Sequence, residues 1–243
     1  MSKAPRERKY ILLDDTASFA VRESYRIART NLIFALSASG GGNCRRVVIT
    51  SPGVSDGKTI TCINLALAFA LAGSKVLLVD ADMRKPRLHR IFGIEQDPGL
   101  SDLLGGLANG GCVRETKFEN LSVLTSGTVP PNPTELLMSP NFADLMDSGL
   151  TEFEYVFIDT PPIGVVTDAA VAASRADGAL LVSRQRHTDR RSLEDSGAAL
   201  KQAGGRILGH IFNDVDPRYS DKKYRCFTDS AERYYEKPKK GRR

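Results

Sequence analysis

Ser51-Pro52-Gly53-Val54-Ser55-Asp56-Gly57-Lys58-Thr59 is the stretch on which the reading of this chain turns. A β-branched run, Val47-Val48-Ile49-Thr50, precedes it, and a helical apolar pattern over 60–71 follows it. Strand, small-residue loop closing on Gly-Lys-Thr, and helix together form the setting of a phosphate-binding loop. Backbone N–H groups of such a loop converge, and the helix start adds positive potential, so a polyphosphate can sit there. Lys58 is placed to reach the β and γ phosphates of ATP, and the Thr59 hydroxyl to reach Mg²⁺. Gly53, Ser55, Asp56, Gly57 and Ile60 complete the expected contact set. Two positions depart from the usual spacing. Pro52 stands where the first glycine is expected, with Gly53 next, and Ser55 stands where many such loops carry a second glycine. A plain strand-to-helix turn explains the shape, but it needs neither the lysine nor the hydroxyl.

The 243 residues suffice for one large α/β domain, and 41% hydrophobic residues are ordinary for a globular core. The apolar stretches fall short of the ~18 to 20 residues that cross a bilayer. The charged start, Met1 to Lys9, lacks the apolar block of a signal peptide. Cys44, Cys62, Cys112 and Cys226 form no Cys-x-x-Cys pair, and His89, His187 and His210 are dispersed. That pattern fits reduced thiols better than a disulfide frame or a structural metal. The net charge of +5 lies in the tail: 218–243 carries ten Lys/Arg against four Asp/Glu. A near-neutral body with a basic tail suits an acidic partner or a membrane surface as well as nucleic acid, and no specific nucleic acid is expected.

Further apolar runs follow at 76–80, 121–125, 155–159, 179–183 and 207–212, with amphipathic stretches such as 168–174 and 190–202 between them. This alternation predicts an α/β fold: a mostly parallel sheet covered by helices on both faces, with ligands at the carboxyl ends of the strands. The expected organisation is a loose segment 1–22, a domain 23–216 opened by a helix over 23–36, and a basic tail 217–243. Two runs end in acid, Val79-Asp80-Ala81-Asp82 and Ile158-Asp159. Strand ends often carry an Asp as the cap of the next helix, which accounts for one acid better than for three. Asp159 suits a Walker B role toward Mg²⁺. Of Asp80 and Asp82, one can hold metal while the other orients or deprotonates a hydroxyl.

With these residues in view, the chain resembles the bacterial tyrosine kinases, within the partition and division-site P-loop ATPases. The Walker A loop, Asp80-Ala81-Asp82-Met83-Arg84 as Walker A′, and Phe157-Ile158-Asp159-Thr160-Pro161-Pro162 as Walker B carry the resemblance. Pro131-Asn132-Pro133-Thr134-Glu135 and Leu208-Gly209-His210-Ile211-Phe212-Asn213 are similar to further family stretches. The resemblance implies a protein-tyrosine autokinase using ATP and Mg²⁺. Asp80 would take the phenolic proton, Thr59, Asp82 and Asp159 would anchor Mg²⁺, Lys58 and Arg84 would offset phosphoryl charge, and Asn213 would contact adenine. It also implies a homo-oligomeric ring built through Glu23, Arg26 and Arg29, with Tyr219, Tyr224, Tyr234 and Tyr235 of a neighbour's tail as phosphoacceptors. A membrane-spanning activator would hold the chain at the inner face of the plasma membrane, and its role would be control of capsule or exopolysaccharide synthesis and export. Two alternatives stay open: a partition-type ATPase, against which Gly53 in place of a signature lysine argues, and a nucleotide-binding scaffold without phosphotransfer.

Overall fold

In the computed structural model, residues 11–14, 16–37 and 44–216 are described. The tail 217–243, with its four tyrosines, lies outside them. Seven strands form one sheet: β1 (Arg45–Thr50), β2 (Val76–Asp80), β3 (Val113–Glu115), β4 (Leu121–Leu124), β5 (Tyr155–Asp159), β6 (Gly178–Arg184) and β7 (Ile207–Asn213). Their order is β3-β4-β2-β5-β1-β6-β7, and every neighbouring pair is parallel except β3 with β4.

Alternation along the strands divides the core. Val47 and Ile49 of β1, Val76 and Leu78 of β2, and Phe157 of β5 pack into one cluster. Val48, Leu77, Val79, Val156 and Ile158 pack into the other, on the opposite face. Both faces are therefore dry, which is why these strands read as unbroken apolar runs. Each fully buried side chain of this size contributes roughly 1.5 to 3 kcal/mol.

The helices are α1 (Phe19–Ser37), α2 (Lys58–Ala70), α3 (Leu88–Phe92), α4 (Leu100–Leu104), α5 (Pro133–Leu137), α6 (Pro140–Asp144), α7 (Asp168–Ala173) and α8 (Arg190–Gln202), and a π-helical turn spans Leu145–Gly149. Almost every residue of α2 is buried, so the helix that leaves the phosphate loop runs through the core. Its one buried amide, Asn64, is satisfied from outside the helix: Oδ1 accepts the Leu13 N–H at 2.9 Å and Nδ2 donates to Ile11 O at 3.0 Å.

Two expectations need correction. The first helix begins at Phe19, before the expected Glu23, because the Ser18 hydroxyl caps it by accepting the Val21 N–H. Residues 11–13 are not loose, since Asn64 pins them and Leu13 is buried. The antiparallel edge strand β3 was not expected. Its three residues bury no side chain fully and carry no apolar alternation.

Candidate active site

The loop 51–57 leaves the end of β1 and closes on Gly57, whose φ of 94° is left-handed. Ser55 also has a positive φ, 66°, the conformation in which glycine is the usual occupant. The first bond of α2 runs from the Thr61 N–H to Gly57 O at 3.0 Å. The N–H groups of Gly57, Lys58, Thr59 and Ile60 precede it, have no partner within the helix, and form the anion cradle.

The back of the loop is held by side chains. Asp56 is buried, accepts the Gly53 N–H at 2.9 Å through Oδ2, and accepts the Thr188 hydroxyl at 2.6 Å through Oδ1. Asn213 Nδ2 donates to Asp56 O at 3.0 Å, and a Cβ on Gly57 would lie 2.0 Å from that nitrogen. The segment after Asp159 packs from the other side. The Ile163 N–H donates to Ser51 O at 2.9 Å, and a Cβ on Gly164 would meet Pro52 O at 2.3 Å. The carboxylate of Asp56 and the amide of Asn213, both expected on the nucleotide, thus tie down the loop that holds it.

Three carboxylates face this cradle. Asp80 and Asp159 are register partners at the ends of β2 and β5, and Asp82 follows two residues on. Lys58 Nζ lies 3.0 Å from Asp82 Oδ2 and 3.5 Å from Asp159 Oδ1. Burial works against the charge on Lys58, but Asp159 and Asp82 outweigh it and raise its pKa. Asp80 Oδ2 accepts the N–H groups of Arg87 and Leu88, each at 3.0 Å. Burial, and then the charge of Asp159, push the Asp80 carboxyl up to about 7, against the pull of those two donors. Burial also raises Asp159, opposed by Lys58 and the Thr59 hydroxyl.

Asp80 Oδ1 and Asp159 Oδ1 are buried without a hydrogen-bond donor, the Lys58 ammonium standing off from the latter as an ion pair only. Asp159 Oδ1, beside the Thr59 hydroxyl, Asp82 and the phosphate cradle, fits a divalent cation, while Asp80 Oδ1 stays available as a proton acceptor. Among the described residues no cluster of three His, Cys, Asp or Glu forms a cage by itself. The donor set therefore suits Mg²⁺ that arrives with phosphate and water ligands.

Arg84 is not aimed at this cradle. Its guanidinium grips Asp168 (Nε to Oδ2 2.9 Å, Nη2 to Oδ1 3.2 Å) and donates to the Thr134 hydroxyl at 2.9 Å. Asp168 is fully buried at the start of α7 and is the residue that sequence reasoning missed. A lone acid opening an alanine-rich helix gives no sign that it anchors two other motifs. Asp168→Asn should lower stability by about 1.5 to 3 kcal/mol, the usual loss of a hydrogen bond to a charged partner, measured by urea unfolding. An unchanged midpoint would show that Arg84 is held by other contacts.

Of the residues expected at a subunit interface, Glu23 and Arg26 pair with each other at 2.8 Å on the surface of α1. Arg29 is committed within its own chain: its Nη1 donates to Ala68 O at 2.8 Å. The same helix exposes Ile27 and Phe34.

Comparison with known proteins agrees with this geometry. The CobQ/CobB/MinD/ParA nucleotide-binding domain family matches residues 47–237. Tyrosine-protein kinase CpsD of Streptococcus pneumoniae serotype 4 is 40% identical over 180 residues, covering 72% of this chain and 78% of CpsD. Tyrosine-protein kinase YwqD of Bacillus subtilis is 40% identical over 192 residues, covering 79% of this chain and 80% of YwqD. Other relatives are longer: 79% of this chain aligns with only 27% of tyrosine-protein kinase Wzc of Salmonella typhimurium, at 37% identity. The kinase domain of Escherichia coli tyrosine kinase ETK superposes with a TM-score of 0.77 at 34% identity, covering 82% of this chain and 78% of that one. The septum site-determining protein MinD of Pyrococcus horikoshii, solved with Mg-ADP, superposes with a TM-score of 0.62 at 27% identity, covering 76% of each chain.

Proposed function

This chain belongs to the tyrosine-protein kinases of the CobQ/CobB/MinD/ParA nucleotide-binding family, and on that premise we propose that it phosphorylates tyrosines in the tail of neighbouring copies of itself. The observation that carries the proposal is the Lys58–Asp82–Asp159 cluster set against Asp80 at the mouth of the phosphate cradle. Four of the seven tyrosines standing in 218–243 support it.

The N–H groups of 57–60 bind the β and γ phosphates of ATP, and Lys58 exchanges its contact with Asp82 for the phosphoryl oxygens. Thr59, Asp82 and Asp159 would hold Mg²⁺, and the cation would supply neutralisation of phosphate charge. A tyrosine of another copy enters beside Asp80 and Asp82. Its oxygen forms a bond to the γ phosphorus, the bond to the bridging oxygen breaks, and ADP leaves. The phenol has a pKa of roughly 10, so its proton needs an acceptor as the bond forms. Asp80 is that acceptor, since a carboxyl held at about 7 is poised near neutrality and its Oδ1 has no other donor. Arg84 acts at one remove, by keeping the Walker A′ loop on Asp168.

In the wider setting, the chain forms a homo-oligomeric ring through α1, where Glu23, Arg26 and the exposed Ile27 and Phe34 face outward and Arg29 braces the helix from behind. A membrane-spanning activator holds it at the inner face of the plasma membrane, and the output is control of capsule or exopolysaccharide synthesis and export. No helix among the described residues is long and apolar enough to cross a membrane.

A mixing experiment tests transfer between copies. A chain lacking 217–243 but otherwise intact is combined with a Lys58→Met chain that keeps the tail, and MgATP is added. Mass spectrometry should find phosphate on Tyr219, Tyr224, Tyr234 or Tyr235 of the Lys58→Met chain. Phosphotyrosine in full-length wild type but none in the mixture would rule out transfer in trans.

A further inference from the structure

Residues Arg84, Lys85, Arg87 and Arg90 line an open cleft of about 440 Å³ together with Pro86, Gln96 and Val129. No Asp or Glu lines it. Gln96 is held in the lining, its Nε2 donating to Gly127 O at 2.7 Å. Asp168 offsets Arg84, but Lys85, Arg87 and Arg90 are exposed and have no carboxylate partner among the described residues. The cleft therefore gathers four cations, of which Arg84 alone has a carboxylate partner among the described residues.

Its position is tied to the active site. The Lys85 N–H donates to Asp82 Oδ1 at 3.1 Å and the Arg87 N–H donates to Asp80 Oδ2 at 3.0 Å. The backbone that carries the cations is thus hydrogen-bonded to the two carboxylates where the acceptor tyrosine enters. The cleft therefore adjoins those two carboxylates along the backbone of 82–87.

The unmodified tail does not suit such a surface, since 218–243 carries ten Lys/Arg against four Asp/Glu. A phosphorylated tail does. Tyr234 and Tyr235 are adjacent and lie between Glu232 and Glu236, with Arg233 the single cation among them. One phosphate adds about −1.5 to −2 charges and three acceptor oxygens, which guanidinium groups grip bidentately.

We propose that the cleft is a phosphotyrosine-docking site, holding an already phosphorylated tyrosine of a second copy's tail while another tyrosine of the same tail lies at Asp80 and Asp82. The proposal rests on the tail-directed kinase function above. Extended chain advances ~3.3 to 3.6 Å per residue, so a second tyrosine a few residues along the same tail can reach a cleft that adjoins the carboxylates. The first phosphate then speeds the next on the same tail, and phosphorylation proceeds in order from a primed segment.

The test uses the full chain saturated with MgADP, so that the phosphate cradle is filled. Two fluorescent peptides spanning 229–238 are compared by anisotropy, one unmodified and one phosphorylated on Tyr235. The phosphopeptide should bind about tenfold more tightly or better. Arg87→Ala/Arg90→Glu should erase that difference while leaving the unfolding midpoint near that of the wild type, since both side chains are exposed. Equal affinity of the wild-type chain for the two peptides, or a preference that survives the double substitution, overturns the proposal. Failure of the wild-type chain to form phosphotyrosine from ATP would tell against the kinase function instead, with the binding comparison still deciding the cleft.

Discussion

Lys58→Met should lower phosphate transfer to tyrosine by about 10³-fold or more and, in the nucleotide-free protein, lower stability by ~3 kcal/mol. Both effects come from one ammonium with two sets of anions. Lys58 is buried between Asp82 and Asp159, and its charge offsets the repulsion among three neighbouring carboxylates. Methionine fills a similar volume without the charge, so the carboxylates must take up protons or repel. The stability loss should therefore grow with pH, since above about 7 Asp80 ionises and adds to the negative charge that the missing cation had offset. Urea unfolding at several pH values, with phosphotyrosine formation measured in parallel, separates the two effects. A variant that is destabilised as expected but still transfers phosphate at the wild-type rate would leave Lys58 a structural counter-ion only.

Much of this arrangement was legible in the sequence because the relevant physics is local. Val47-Val48-Ile49-Thr50 and Val76-Leu77-Leu78-Val79 are buried on both faces, so burial writes itself as a continuous apolar run. The Gly57-Lys58-Thr59 signature and the acids at the strand ends follow from where a parallel sheet opens. What stayed hidden depends on partners far apart in the chain. Asp56 binds Thr188, Asn213 binds the backbone of Asp56, and Arg84 binds Asp168, over separations of 132, 157 and 84 residues. Nothing at either end of such a contact announces the other, so side chains expected to face the nucleotide are found bracing the loop that faces it. The short strand β3 escaped for the opposite reason: three residues at the sheet edge carry too little burial to leave a pattern.

The same dependence on partners makes charge spacing along a helix a poor guide to interfaces, as Arg29 illustrates. Its spacing from Glu23 and Arg26 suggests a shared outward stripe, yet it reaches back to the carboxyl end of α2. Helical spacing fixes which residues are neighbours on a surface, but the length of an arginine side chain lets it leave that surface for a buried carbonyl.

Asp80→Asn should change stability and activity in opposite directions. In the folded chain the Asp80 carboxyl is held at about 7, against 3.8 for the ordinary group, by burial and by Asp159. A carboxyl raised in this way favours the folded state when protonated. That contribution is full below about 3.8 and is lost as pH rises through about 7. The interval corresponds to ~4 kcal/mol, so ionised Asp80 is a substantial burden on the nucleotide-free protein at pH 8. The amide removes the charge while its oxygen can still accept the N–H groups of Arg87 and Leu88. Asp80→Asn should accordingly be more stable than wild type by ~2 to 4 kcal/mol at pH 8, with the advantage vanishing near pH 4. Phosphotyrosine formation should fall by about 10² to 10⁴-fold, because an amide cannot accept the phenolic proton. A purely structural aspartate predicts the reverse pairing, a less stable protein whose residual folded fraction transfers phosphate normally. Unfolding midpoints at pH 4 and pH 8, together with single-turnover phosphate transfer, distinguish the two, and a variant that transfers phosphate at the wild-type rate would remove Asp80 from the proton-transfer step.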